Sequence, residues 1–279
     1  MDFKFTIFTP CYNGAHCIYR VFESLDAQTY DNYEWYSVND ASTDNSPAVI
    51  DDLLEKFRKK HSNEVHVINH PINKGKHISW NEVAQHACSD LFLCCDCDDS
   101  FMPNTLEILN SEWNNVYQNK CIAGLYTLCI NNNGQIVGDS FKEDRFVSDF
   151  LELNYVCHIK GEKWCLVRTN IIKEIPFPEI DCQYYSESYI WFNIALRDLK
   201  VICLNTPLRV YYHEPLSLTN NRKVRNPKRM AMFRHFDYWK LMNLFRFYLQ
   251  HSPIEIINVS KHIVLTYCYQ ILCYLKIKF

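Results

Sequence analysis

The tetrapeptide Asp96-Cys97-Asp98-Asp99 directly follows the apolar run Leu91-Phe92-Leu93-Cys94-Cys95. Side chains two apart in an extended segment point the same way, so Asp96 and Asp98 can face one site together. Two carboxylates there repel each other unless a cation lies between them, and hard divalent ions prefer oxygen ligands. Mg2+ or Mn2+ takes one or two protein carboxylates and completes its shell with water and phosphate, which lets it neutralise a departing diphosphate. The competing reading is a solvated acidic loop capping the next helix. Placement after a buried strand, level with two other polar strand ends, favours the metal site.

The first of those ends is Thr9-Pro10-Cys11-Tyr12-Asn13, and the second is Asn39-Asp40-Ala41-Ser42-Thr43-Asp44. A carboxylate after the second strand of a doubly wound sheet can accept from a ribose hydroxyl or a base N–H, the role expected of Asp40. Asp44, amid good turn formers, is expected to cap a helix. Asn73-Lys74-Gly75-Lys76-His77 precedes another helix, where lysines suit phosphate groups; Lys74 is the candidate. Cys88, Cys94, Cys95 and Cys97 with His86 invite a zinc reading, but adjacent cysteines on a strand point to opposite faces and do not converge.

These clusters need a scaffold that brings strand ends together. Phe3–Phe8, Glu34–Val38, Val65–Ile68 and Leu91–Cys95 read as strands. Between them lie helices with apolar stripes at Ile18, Val21, Phe22 and Leu25, at Val49, Ile50, Leu53, Leu54 and Phe57, and at Trp80, Val83, Ala84 and Ala87. Ser46 is expected to cap the second of these helices, with Pro47 at its first position. A helix burying Leu106, Leu109, Trp113 and Val116 follows Pro103. The alternation predicts an α/β fold with a mostly parallel central sheet flanked by helices, and ligands beyond the carboxyl ends of its strands. The second half is less regular, with strands expected at 122–130, 135–137, 164–167, 200–204 and 208–212 and a helix over 188–197.

In order, Thr9-Pro-Cys-Tyr-Asn13, Asn39-Asp-Ala-Ser-Thr-Asp44, Asn73-Lys-Gly75 and Asp96-Cys-Asp-Asp99 resemble the family 2 glycosyltransferases of GT-A fold. The similarity continues through Gly124-Leu-Tyr126, Gly134–Gly138 and Phe177-Pro-Glu179 to Ser186-Glu-Ser188, roughly residues 3 to 218. It implies a nucleotide-diphospho-sugar donor, Mn2+ or Mg2+ on an Asp-X-Asp motif, and an inverting displacement that moves a hexosyl or N-acetylhexosaminyl group. Carried over by position, Thr9, Tyr12 and Asp40 would contact base and ribose, Asp96 would sit near ribose and metal, and Asp98 would be the metal ligand proper. The chain departs from the family pattern at Asn39, where a second aspartate is usual, and at Ala41, where a glycine is usual. An inverting transfer needs a base for the acceptor's proton. Glu187, resembling the acidic residue that starts the family's acceptor-side helix, is the candidate, with Asp181 and Glu179 in reserve. Tyr184, Tyr185 and Trp191 offer faces for a sugar ring or simply fill a core. His213 is placed near metal or diphosphate by the same resemblance.

The 279 residues carry 29 Lys and Arg against 32 Asp and Glu, a net charge of −3, with no global drive toward nucleic acid. The 14 cysteines, in a chain opening Met-Asp-Phe-Lys without a secretory signal, are read as reduced thiols. The expected organisation is a GT-A glycosyltransferase domain over 1–219, with a nucleotide-sugar half (1–104) and an acceptor-side half (105–219). A basic linker and helical C-terminal extension then cover 220–279. The apolar stretch between Lys261 and Lys276 is 14 residues, too short to span a bilayer that needs roughly 20. The expected location is the cytoplasm, at the inner face of the membrane, with the extension in peripheral contact and a glycan or lipid-linked acceptor in surface polysaccharide synthesis. Two other functions fit an α/β sheet with acidic strand ends: a sugar-nucleotide pyrophosphorylase, and a non-catalytic module that binds nucleotide or membrane surface.

Overall fold

Apolar runs alternating with amphipathic segments build the first half of the fold. The computed structural model describes residues 1–182, 184–212 and 227–274. It opens with β1 (Phe5–Cys11), α1 (Tyr19–Asp26), β2 (Tyr33–Asn39), α2 (Ser46–Lys60), β3 (Glu64–Asn69), α3 (Lys76–His86) and β4 (Leu91–Cys94). Strands β2 and β4 are buried along their whole lengths, as expected of central strands covered on both faces. Helix α1 buries Val21, Phe22 and Leu25, and α2 buries Ile50, Leu54 and Phe57, each along one stripe. Helix α2 starts one residue earlier than expected: Asn45 is its N-cap and Ser46 its first residue. The Asp44 carboxylate accepts from the Ser46 N–H at 2.9 Å, which gives Asp44 the capping role.

The second half contributes β5 (Ser100–Phe101), α4 (Thr105–Asn114), β6 (Ile122–Asn131), β7 (Phe146–Ser148), α5 (Phe150–Tyr155), β8 (Lys163–Arg168), α6 (Thr169–Glu174), α7 (Ser188–Ala195) and β9 (Lys200–Tyr211). The two strands expected at 200–212 are one, running through Pro207 with register shifts against β6 on either side of Leu128. Residues 135–137 form no strand; Ile136 makes an isolated bridge to Ile130. Helices α8 (Pro227–His251) and α9 (Ile254–Tyr274) complete the described chain.

All these strands join one sheet in the order β3-β2-β1-β4-β8-β6-β9-β5, with β7 on β9. The pairs β3-β2, β2-β1, β1-β4 and β6-β9 are parallel. The sheet as a whole is mixed, because β8 runs antiparallel between β4 and β6, and β5 and β7 run antiparallel to β9. Phe8 pairs with both Tyr36 and Cys94; β4 ends there, and β1 and β2 run on together for three more residues to Cys11 and Asn39. The chain steps outward from β1 to β2 and β3 on one side and to β4 on the other. Ligands of open α/β sheets bind at such a switch point.

Side chains alternate between two cores along each strand. Phe5 and Ile7 join the core that holds α1, α2 and α4, whereas Phe8 joins the one that holds α3 and α7. Cys94 and Cys95 likewise belong to opposite cores. Helix α8 packs on the second core: Phe236 stacks on Phe192, Trp239 meets Tyr189 at 5.0 Å, and the hydroxyls of Tyr248 and Tyr155 lie 3.0 Å apart. Helix α9 packs back along α8 and leaves Ile254, Ile257, Val264, Leu265 and Ile271 exposed. Among the described residues no helix is long and apolar enough to cross a membrane.

The β6–β8 pairing depends on Gly124, where an added Cβ would lie 1.9 Å from the Leu166 carbonyl oxygen. Backbone cannot yield as a flexible side chain does, and overpacking of this kind costs about 3 kcal/mol or more. Gly124→Ala is therefore expected to unfold at markedly lower urea concentration than the parent, with little folded protein recovered at 37 °C.

Candidate active site

The loops after β1 and β2 are laced together. Asn13 donates its backbone N–H to Ser42 Oγ at 3.0 Å and accepts from the Thr43 N–H at 2.8 Å, while the Gly14 N–H reaches Ser46 Oγ at 2.9 Å. Asn13 and Ala41 both adopt left-handed backbone, at φ 56° and 57°. Asparagine tolerates this region; alanine is strained there. The usual glycine turn is thus preserved at Ala41 at an energetic cost.

Asp40 is 4% exposed, and both its oxygens are engaged by the protein. Oδ1 meets His70 Nδ1 at 2.7 Å and accepts from the Lys74 N–H at 2.8 Å, and Oδ2 accepts from the Gly75 N–H at 2.7 Å. Asp40 therefore clasps the Asn73–Gly75 turn, where Gly75 takes φ 88° to start α3, and does not present a free carboxylate to a nucleoside. Thr9 needs a similar correction. Its side chain is fully buried and accepts the Trp35 indole N–H at 3.0 Å, because position 9 of β1 faces the α1–α2 core. Tyr12, just beyond β1, is exposed as a ligand-facing ring would be. The Lys74 ammonium lies 3.6 Å from Glu82, on the His70 side of the turn.

At the end of β4 the four residues 96–99 divide their roles. The Asp99 N–H closes a turn on the Asp96 carbonyl at 3.0 Å, and Arg20 donates to the Asp98 carbonyl at 3.1 Å. Asp99 is buried, 3.3 Å from Arg209 Nε, and accepts from the Tyr212 N–H at 3.1 Å, so it braces the loop from within. Burial, and then the negative charge of Asp96, push the Asp98 carboxyl above the usual range. Burial acts the same way on Asp96, but Lys76 and Arg209 outweigh it and hold that carboxyl low.

Lys76, the first residue of α3, reaches into this loop. Its Nζ lies 2.5 Å from Asp96 Oδ1 and 2.6 Å from Glu187 Oε1. Burial disfavours the ammonium, yet Asp96 and Glu187 raise its pKa well above the ordinary lysine value. The Glu187 carboxylate faces Lys76 and makes no side-chain cap to α7. Of the reserve bases, Asp181 pairs with Lys228 at 2.8 Å and Glu179 is exposed. The aromatic groups expected near a sugar are packing groups: Tyr185 is buried and Trp191 stacks on Phe150 at 5.3 Å. His213 lies outside the described residues. Sequence reasoning missed Lys76; the pentapeptide that contains it was visible, but which lysine turns toward the aspartates depends on where α3 begins.

Asp96, Asp98 and Glu187 with Lys76 carry a net charge of −2 when ionised, which suits one divalent cation. Two protein oxygen donors are also what Mg2+ or Mn2+ takes when phosphate and water fill the remaining positions. Asp98 and the second oxygen of Asp96 would hold such an ion.

A mixed sheet of this order, flanked by helices and with its polar strand ends at one edge, is the fold of GT-A glycosyltransferases. The chain belongs to glycosyl transferase family 2, whose pattern matches residues 6–175, and it is a glycosyltransferase. It is 28% identical over 206 residues to the Escherichia coli UDP-Glc:alpha-D-GlcNAc-diphosphoundecaprenol beta-1,3-glucosyltransferase WfgD, covering 73% of this chain and 74% of that one. Among solved structures it resembles S. aureus TarS 1-349 in complex with UDP-GlcNAc, with TM-score 0.64 and 21% identity over 85% of this chain and 66% of that one. The same residues span 40% of the longer TarS chain. The Pyrobaculum calidifontis mannosyltransferase PcManGT in complex with GDP-Man and Mn2+ matches 96% of this chain and 70% of its own, with TM-score 0.59 and 16% identity.

Relieving the left-handed strain at position 41 is expected to stabilise the fold. Ala41→Gly should gain about 1 kcal/mol in urea unfolding, the strain of a non-glycine residue at positive φ less the greater chain entropy of glycine.

Proposed function

We propose that the protein transfers a sugar from a UDP-sugar donor to a hydroxyl of a lipid-linked glycan acceptor, with inversion at the anomeric carbon, in cell-surface polysaccharide synthesis. The observation that carries this reading is the meeting of Asp96, Lys76 and Glu187, which come from the loop after β4, the first residue of α3 and the N-cap of α7. One group at the donor phosphates and one at the acceptor are what a single displacement requires, and α7 supplies the second. Support for the nucleotide comes from the UDP-GlcNAc bound by TarS, and support for the acceptor from the diphosphoundecaprenol-linked acceptor in the name of WfgD.

In this reading Tyr12 and the turn clasped by Asp40 line the nucleoside pocket, Lys74 lies beside it, and Asp96 and Asp98 face the diphosphate. A divalent cation held there, Mn2+ or Mg2+, supplies Lewis-acid neutralisation of the leaving group. Glu187 accepts the proton of the acceptor hydroxyl as its oxygen bonds to the anomeric carbon. The bond from that carbon to the diphosphate oxygen breaks, and the nucleoside diphosphate leaves.

Residues 1–219 are the catalytic unit, and 220–279 serve as its membrane-facing extension. From Pro227 onward the chain has eight Lys and Arg against two Asp and Glu, a net +6, so residues 1–226 carry −9. A cationic helical pair with exposed apolar residues suits the anionic inner leaflet, where a lipid-linked acceptor would be met from the cytoplasm.

Asp98→Ala is expected to lower transfer by at least about 1,000-fold, measured as nucleoside diphosphate release from a panel of UDP-sugars with Mn2+. Ordinary turnover in that variant would remove the metal assignment. Glu187→Gln should keep UDP affinity within about threefold while kcat falls by about 100- to 10,000-fold, the usual contribution of a general base. An unchanged kcat would place the base elsewhere.

A further inference from the structure

Lys76 is not explained by the helix it begins. A cation at a helix N-terminus opposes the macrodipole and weakens the helix. Its side chain is 17% exposed, so the ammonium is held out of water by its surroundings. What keeps it there is a pair of carboxylates, Asp96 at 2.5 Å and Glu187 at 2.6 Å, that would otherwise repel each other across the cleft. Asp96 is at the same time one of two carboxylates suited to a divalent ion, so one oxygen-rich position is contested by two cations.

We propose that Lys76 is a positioning residue that tethers Glu187 and competes electrostatically with the divalent cation for Asp96. With the aspartates unloaded, Lys76 bridges Asp96 and Glu187 and keeps the cleft from collapsing under like charge. When a cation occupies the aspartates, Lys76 loosens from Asp96 and keeps Glu187, which then stands paired and aimed beside the loaded site. The arrangement links metal loading to the placement of the base and sets the metal affinity below what two aspartates alone would give. This inference rests on the proposed metal site and goes beyond it by assigning Lys76.

The test needs neither donor nor acceptor. Mn2+ alone is titrated into the full chain, and free Mn2+ is followed by electron paramagnetic resonance. Removing a positive charge beside a doubly charged ion strengthens its binding, so Lys76→Met is expected to bind Mn2+ about tenfold more tightly than the parent. Lys76→Arg keeps the charge and is expected to stay within about twofold of the parent. A lysine that merely supported the fold would weaken Mn2+ binding when replaced, or leave it unchanged; either result overturns the proposal, as would tightening in the arginine variant. Lys76→Gln gives the same readout should the methionine variant not fold. If the parent binds Mn2+ and Asp98→Ala does not, the metal site stands whatever Lys76 does. If the parent binds none, the metal site falls and this proposal with it.

Discussion

Negative charge gathered at the end of one strand is the constraint on which this site is built. Asp96, Asp98 and Asp99 lie within four residues, and Glu187 is brought against them from the far half of the chain. In a partly buried cleft such charges repel strongly, because little water screens them. The fold answers with three cations from three directions. Arg209 from β9 compensates Asp99 inside the protein, Lys76 from α3 takes Asp96 and Glu187, and Arg20 from α1 holds the Asp98 backbone. Asp98 is left with its carboxyl pushed upward by burial and by Asp96, a state that favours a proton or a metal ion.

The neighbouring loops owe their shape to the same economy of polar groups. Buried Asp40 satisfies both backbone N–H groups at the start of α3 and one nitrogen of His70, whose other nitrogen lies 2.9 Å from Glu82. Buried carboxylates are stable when fully hydrogen-bonded, and this one fixes where α3 starts. The start of α3 in turn decides where the Lys76 ammonium lies. A residue well placed to bind a ligand thus serves the ligand site indirectly, by positioning another residue.

Much of the fold was legible in the sequence. Strong periodicity, flanked by turn residues, announced the β-α alternation through β4, since local patterning dominates where each strand is covered on both faces. The irregular half was less legible because its elements are set by partners distant in sequence. Strand β9 passes through Pro207 without breaking, since a sheet position with shifted register tolerates a residue that lacks a donor. Nothing local shows that β8 enters the sheet antiparallel between β4 and β6.

The order of the chemical groups was fixed by the amino-acid chain: two carboxylates at i and i+2 after a buried strand, preceded by two polar turns and a lysine-bearing one. Sequence spacing places Asp96 and Asp98 two apart just past a buried strand. The backbone there is the turn closed by the Asp99 N–H on the Asp96 carbonyl, so the turn and not extended alternation sets where the two carboxylates point. The tertiary structure decided which polar side chains remain available. It turned Thr9 inward against Trp35, closed Asp40 on the α3 turn, and set Lys76 rather than Lys74 among the acids. Sequence lists a group's capacity to donate, accept or carry charge, whereas packing determines which capacities are already satisfied, and only the unsatisfied ones reach a ligand.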